Sequence, residues 1–109
     1  MTLDEYQQSA IKTGRDKDAQ NELFHLVLGL VGETGEIAEK IKKWVRDQDS
    51  DESKLDIDDL TKELGDVLWY VSGLANHLGI SLEDVGSKNI AKLADRQKRG
   101  ALQGSGDNR

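Results

Sequence analysis

Four carboxylates stand at a spacing that suits a hard cation. Glu33 and Glu36 flank Thr34-Gly35, and Glu63 and Asp66 flank Leu64-Gly65. A step of three puts each pair on one helical face about a turn apart. An apolar stretch, Leu26 to Val31, precedes the first pair, and another, Val67 to Val71, follows the second. A carboxylate drawn into low dielectric must be paired, coordinated or neutralised. Two helices packed antiparallel would bring the pairs together. Oxygen ligands with no Cys in the chain match Mg²⁺, which keeps several waters and bridges carboxylates to phosphates; Mn²⁺ fits the same set. Taken singly, each pair is an ordinary solvated feature, since Glu is common on helix surfaces. Two pairs beside apolar stretches, with Gly next to the acids, favour a site. A ferritin-like di-iron bundle needs two Glu-x-x-His elements. Glu22-x-x-His25 is one, but Leu74 stands three residues before His77, so that architecture is excluded.

The charge reverses towards the C-terminus, where Lys88, Lys92, Arg96, Lys98 and Arg99 face a single Asp95. Asn89, Lys92 and Arg96 fall on one polar stripe beside Val85, Ile90 and Leu93. Arg offers paired donors to phosphate and Lys a mobile point charge. A solvated helix whose cations suit its own dipole explains the spacing equally well. Together the two groups make a chemical scheme: carboxylates hold a metal, the metal holds polyphosphate, and the cations hold phosphates away from the metal. Tyr70, one turn after Asp66, suits either contact with a base or sugar or a place in the core. Trp44, Trp69 and His25 read as packing residues.

These side chains must be positioned by helices. The chain has 109 residues, no Pro, no Cys, 33% charged residues and a formal net charge of −6. That length fits one domain, expected over residues 1–100, with a flexible polar tail over 101–109. A chain of this size hides roughly 65% of its unfolded surface, so a lone monomer is expected to be narrowly stable. The absence of Cys excludes disulfides, thiolate zinc sites and thiol nucleophiles. Net negative charge argues against binding nucleic acid polymers. No apolar run reaches bilayer length and no leader pattern opens the chain, so a cytoplasmic protein without membrane contact is expected. Thr2-x-x-Glu5 predicts a capping box for a first helix ending near Ile11. Asn21 is expected to cap a second helix running to about Asp47, with Gln48 to Lys54 an exposed loop. Asp56 or Asp58 should cap a third helix ending near Gly79, and Ser81 a fourth that stops at Gly100.

The third helix carries a core-facing stripe of Leu60, Leu64, Val67, Val71, Leu74 and Leu78. The second is apolar nearly all round from Leu23 to Val31, which calls for enclosure on every side. So short a chain lacks the elements for this, and an all-α, four-helix bundle-type unit assembled as a dimer or dimer of dimers follows. Gly29, Gly32, Gly35, Gly65 and Gly73 lie inside helices, each at a cost of roughly 0.5–1 kcal/mol relative to Ala. Close backbone approach between helices is the expected compensation.

Three segments carry a family resemblance: Leu30-Val31-Gly32-Glu33-Thr34-Gly35-Glu36, Glu63-Leu64-Gly65-Asp66-Val67-Leu68 and Asn89-Ile90-Ala91-Lys92-Leu93-Ala94-Asp95-Arg96. With them, the chain from about Leu3 to Gly100 resembles the MazG-like all-α nucleoside triphosphate pyrophosphohydrolases, in their short, single-domain form. The resemblance implies four-helix units assembled as homodimers or homotetramers. It implies Mg²⁺-dependent hydrolysis of a (deoxy)nucleoside triphosphate to the monophosphate and pyrophosphate, for house-cleaning or pool control. It also implies Glu33, Glu36, Glu63 and Asp66 as metal ligands, Asn89, Lys92 and Arg96 as phosphate holders, and Tyr70 near the nucleotide. Related bundles hydrolyse phosphoribosyl-ATP or dUTP, so the base and sugar stay open. A carboxylate not committed to metal would accept the proton of the attacking water, with Glu36 the first choice over Glu33 and Glu39 at the edge. The alternatives from other classes are a non-catalytic helical interaction module and a metal buffer.

Overall fold

Thr2 starts the first helix by reciprocal capping. The Glu5 N–H donates to Thr2 Oγ1 at 3.1 Å, and the Thr2 N–H donates to Glu5 Oε1 at 2.9 Å. In the computed structural model, which describes residues 1–109, this helix, α1, spans Leu3–Ile11. It is followed by α2 (Glu22–Gln48), a turn of 3-10 helix (Glu52–Lys54), α3 (Ile57–His77) and α4 (Leu82–Lys98). No residue lies in a strand. The chain is all-α, and no helix is long and apolar enough to cross a membrane.

Local chemistry sets most boundaries. Asp56 caps α3 by accepting the Asp59 N–H at 3.0 Å, and Ser81 caps α4 by accepting the Asp84 N–H at 3.0 Å. Gly79 and Gly100 take φ of +74° and +70°. Each lets the next N–H reach back five residues, Ile80 to the Ala75 carbonyl at 2.8 Å and Ala101 to the Arg96 carbonyl at 2.7 Å. This closure satisfies carbonyls that a helix end would otherwise leave unpaired. Asn21 departs from expectation. Its φ is +61° and its side chain makes no capping bond. A side-chain cap needs extended backbone, whereas Asn also tolerates the left-handed region, and the chain uses it there for the turn into α2. The expected loop from Gln48 to Lys54 contains the 3-10 turn, which Asp51 caps through the Ser53 N–H at 3.0 Å. Residues 101–109 form no helix; Asp107 ties them to Lys92 and Arg96 of α4, and the Arg109 guanidinium closes the segment on itself by donating to the Ala101, Leu102 and Gly106 carbonyls.

The helix α3 is the hub, packing against α2, α1 and α4. Gln7, buried on α1, fastens the other end of the hub. Its Nε2 donates to the Ile80 carbonyl at 3.0 Å and the Ser72 carbonyl at 3.4 Å, and its Oε1 accepts the Leu82 N–H at 3.0 Å. Leu26 on α2 meets Gly73, Tyr70 meets Gly29, and Lys40 pairs with Asp59. Each step forward along α2 is thus matched by a step back along α3. The two helices are antiparallel in one fixed register.

The apolar pattern is only partly covered. Ala10, Leu26, Ala75 and Leu82 are the buried apolar residues. In the α3 stripe, Leu60, Val67, Val71 and Leu74 are half-buried, but Leu64 and Leu78 stand 59% and 56% exposed. On α2, Phe24, Leu28 and Val31 are exposed, Leu28 by 70%. The enclosure expected for Leu23 to Val31 is not supplied within one chain, because α3 alone runs along α2. Close approach likewise explains only two of the five glycines inside α2 and α3. A Cβ on Gly29 would lie 2.1 Å from the Tyr70 ring, and one on Gly73 would lie 3.1 Å from Leu26, while Gly32, Gly35 and Gly65 face open space.

The Gly29 contact fixes the spacing of α2 and α3. Gly29→Ala gains helix propensity but forces Tyr70 out of its seat, and overpacking of this kind costs about 1–3 kcal/mol. A urea titration is expected to show a lower midpoint. An unchanged or raised midpoint would contradict the packing described.

Candidate metal centre

The α2–α3 register carries the acidic pairs towards one another. Glu33 and Glu36 on α2 and Glu63 on α3 each place a carboxylate oxygen within 4.8 Å of the other two. Glu33 and Glu63 are half-buried and Glu36 is exposed. The Oε2 atoms of Glu33 and Glu63 are fully covered yet have no hydrogen-bond partner. Burying a carboxylate oxygen with nothing to satisfy it is strongly unfavourable, which makes these atoms the clearest sign of a missing positive partner.

Asp66 is exposed and falls outside this closest group. Its charge still reaches the site. The Glu33 carboxyl is held above its ordinary value by desolvation first, then by the negative charges of Glu36, Asp66 and Glu63. The Tyr6 phenol on α1 is raised chiefly by burial and then by Asp66. The side chains therefore form a close trio with a fourth acid at its edge. All donors are oxygens, the group is negative, and two of its oxygens lack partners. That is the donor chemistry of Mg²⁺ or Mn²⁺.

One cation of the chain touches the group. Lys40 follows Glu36 by one turn, and its ammonium lies 3.3 Å from Glu63 Oε1 while also binding Asp59. These bonds hold the Lys40 ammonium above its ordinary pKa, the Asp59 hydrogen bond being the largest cause. No motif marks Lys40 or Asp59. The signal was present in the sequence as i, i+4 steps from Glu36 and from Glu63, but it acquires meaning only once the register is known. The two residues also line a cavity of about 320 Å³, walled by Trp44, Leu55 and Leu60 and fringed by Lys54.

The basic stripe is engaged by the C-terminal tail. Lys92 Nζ and Arg96 Nη2 both bind Asp107 Oδ1 of the tail, at 2.9 and 3.1 Å, and Arg96 Nη2 also donates to the Asp107 carbonyl at 2.9 Å. Arg96 is 4% exposed, whereas Asn89 is exposed. The Asp107 carboxyl is held below its ordinary value by Lys92 and then Arg96. No hydrogen bond or ion pair links Asn89, Lys92 or Arg96 to the four carboxylates within the chain.

Tyr70 sits against Gly29, with edge-to-face contacts to Trp69 at 4.9 Å and His25 at 6.2 Å. Its ring is half-buried in helix packing. The other aromatic residues also serve the fold: Trp44 Nε1 donates to the Asp51 carbonyl, and Trp69 Nε1 to Thr13 Oγ1. Glu22, half of the discarded Glu-x-x-His element, is buried and paired with Arg15 at 3.0 Å.

The chain has relatives. It is 47% identical to the gene 37 protein of Mycobacterium phage L5, over a 114-residue alignment that spans all of both chains. No solved structure matches it. The MazG nucleotide pyrophosphohydrolase domain matches residues 10–101. With that match across most of its length, the chain belongs to the MazG nucleotide pyrophosphohydrolase family.

Proposed function

We propose that the chain hydrolyses a nucleoside triphosphate to the monophosphate and pyrophosphate with Mg²⁺ held by Glu33, Glu36, Glu63 and Asp66. The observation that carries this reading is the pair of buried, unpartnered oxygens on Glu33 and Glu63 beside the carboxylate of Glu36. When bound, the metal supplies polarisation of the phosphoryl group and a water of lowered pKa. Glu36, the exposed member of the trio, would accept the proton of a water that attacks the α-phosphorus as pyrophosphate leaves. Glu33, whose carboxyl is held above its ordinary value by desolvation and its acidic neighbours, is the second candidate. Lys92 and Arg96 bind a carboxylate in the structure, which is the charge a phosphate would bring to the same donors. Asn89 borders them one turn earlier. Tyr70 would meet the nucleoside only with the part of its ring that the helix packing leaves open.

The exposed face of Phe24, Leu28 and Val31 supports a dimer or dimer of dimers, since apolar patches on this scale are usually covered. A second copy would also offer a route for cations of one chain to approach the carboxylates of another. Sedimentation of the wild type is expected to show an even-numbered assembly, and Leu28→Glu to shift it to monomer. A monomeric wild type would remove the assembly from the account.

Pyrophosphate release from a panel of nucleoside triphosphates tests the chemistry. Glu36→Gln and Asp66→Asn are expected to lower kcat by about 100-fold or more, and Lys92→Ala to act mainly on KM. Equal turnover by wild type, Glu36→Gln and Asp66→Asn would contradict the catalytic assignment.

Glu33 links function to stability. Its folded pKa lies above the ordinary value of 4.5, so the folded chain keeps a proton that the unfolded chain loses. Metal-free stability therefore falls as pH rises through that window, and the penalty is complete above the raised value. Glu33→Gln removes the charge and is expected to melt higher than wild type at neutral pH without metal. It should also lose most of the stabilisation that saturating Mg²⁺ gives wild type, about 2.7 kcal/mol at a hundred times Kd. A variant that melts lower without metal, or that keeps the full metal response, would contradict this.

A further inference from the structure

The metal centre has an unexplained charge balance. One divalent ion balances only two of the four carboxylates around it, and a triphosphate arriving there brings still more negative charge. Lys92 and Arg96 of α4 are engaged with Asp107 and make no ion pair with the group. Lys40 does touch it. Its ammonium lies 3.3 Å from Glu63 Oε1, while the other oxygen of the same carboxylate, Oε2, is the buried one with no partner. A divalent ion taken up by the unpartnered oxygen would share that carboxylate with the ammonium. Two cations on one carboxylate repel, and an anion placed between them relieves the repulsion. A phosphate oxygen is such an anion. Lys40 also has the freedom to meet it, with a flexible stem, a side chain 35% exposed and an open cavity beside it.

Resting on the metal-site reading above, we propose that Lys40 is a substrate-binding residue whose ammonium, braced by Asp59 and Glu63, binds a phosphate oxygen of the metal-bound triphosphate. Metal and polyphosphate then favour one another through this side chain. A plain bracing role, in which Lys40 only fixes the Glu63 carboxylate, predicts different behaviour. Loss of a brace weakens the metal itself. Loss of a phosphate ligand weakens the polyphosphate and relieves the metal of a repelling neighbour.

Calorimetric titration separates the two without any turnover. The probes are Mg²⁺ alone, and inorganic tripolyphosphate in saturating Mg²⁺, applied to the full chain. Lys40→Met is expected to bind Mg²⁺ at least as tightly as wild type and tripolyphosphate about ten-fold more weakly or worse, the scale of one lost charge-assisted bond. Lys40→Arg, which keeps a donor cation, should recover most of that loss. Asp59→Asn, which removes a competing anion and keeps the ammonium, should bind tripolyphosphate at least as tightly as wild type, and this arm stands even if Lys40→Met does not fold. Weaker Mg²⁺ binding by Lys40→Met, unchanged tripolyphosphate binding by that variant, or a large loss in Asp59→Asn would each overturn the assignment. Wild type that binds no Mg²⁺ would instead sink the metal centre on which the assignment rests.

Discussion

Mutual repulsion among carboxylates, held together by helix packing, is the constraint from which the rest of this structure follows. Glu33, Glu36 and Glu63 would separate if α2 and α3 were free to slide. They are not free, because Tyr70 is seated on Gly29 and Leu26 on Gly73, with Lys40 tied to Asp59 on the far side of the acids. Packing on both flanks of the acidic group supplies the free energy that its own charges oppose. The site is therefore built under electrostatic tension, which a bound cation would relieve. Function and stability conflict at the same residues, a common condition of active sites.

The same frame accounts for the thin core. Two of the five glycines inside α2 and α3 serve the contact between those helices, while Gly32, Gly35 and Gly65 stand beside the acids with open space in front of them. A small residue there leaves room at the site and costs helix stability without any return inside one chain. Leu28 and Leu64, exposed on the two helices that carry the acids, add apolar surface that is likewise uncovered. A single chain has placed its carboxylates well and finished its core poorly. This division of labour is what an assembled form of the protein would complete.

Much of this was legible in the sequence, and the remainder fails for identifiable reasons. Thr2, Asp56 and Ser81 cap their helices as their local patterns require, because a cap is decided within three or four residues. Each acid pair shares a helical face because i, i+3 spacing fixes it, while the α2–α3 register decides that Glu33, Glu36 and Glu63 meet and Asp66 does not join them. Asn21 stands at the N-cap position its type suggests but makes no side-chain bond there, because one residue type serves two backbone conformations. Leu64 and Leu78 obey the periodicity of a buried stripe and are exposed, since periodicity defines a face and not the neighbour that covers it. Gln7 left no trace in the pattern, as its partners are backbone groups 65 to 75 residues away. The engagement of Lys92 and Arg96 by Asp107 depended on a tail with no periodic signal at all.

The central claim is that the acids of α2 and α3 hold divalent metal between them. Anomalous diffraction from crystals grown with Mn²⁺ tests it directly, since the ion reports its own position. The account predicts a strong peak bounded by the carboxylates of Glu33, Glu36 and Glu63, within direct coordination distance of their oxygens. Crystals that show no peak there, or a peak only in the cavity beside Trp44, would contradict it.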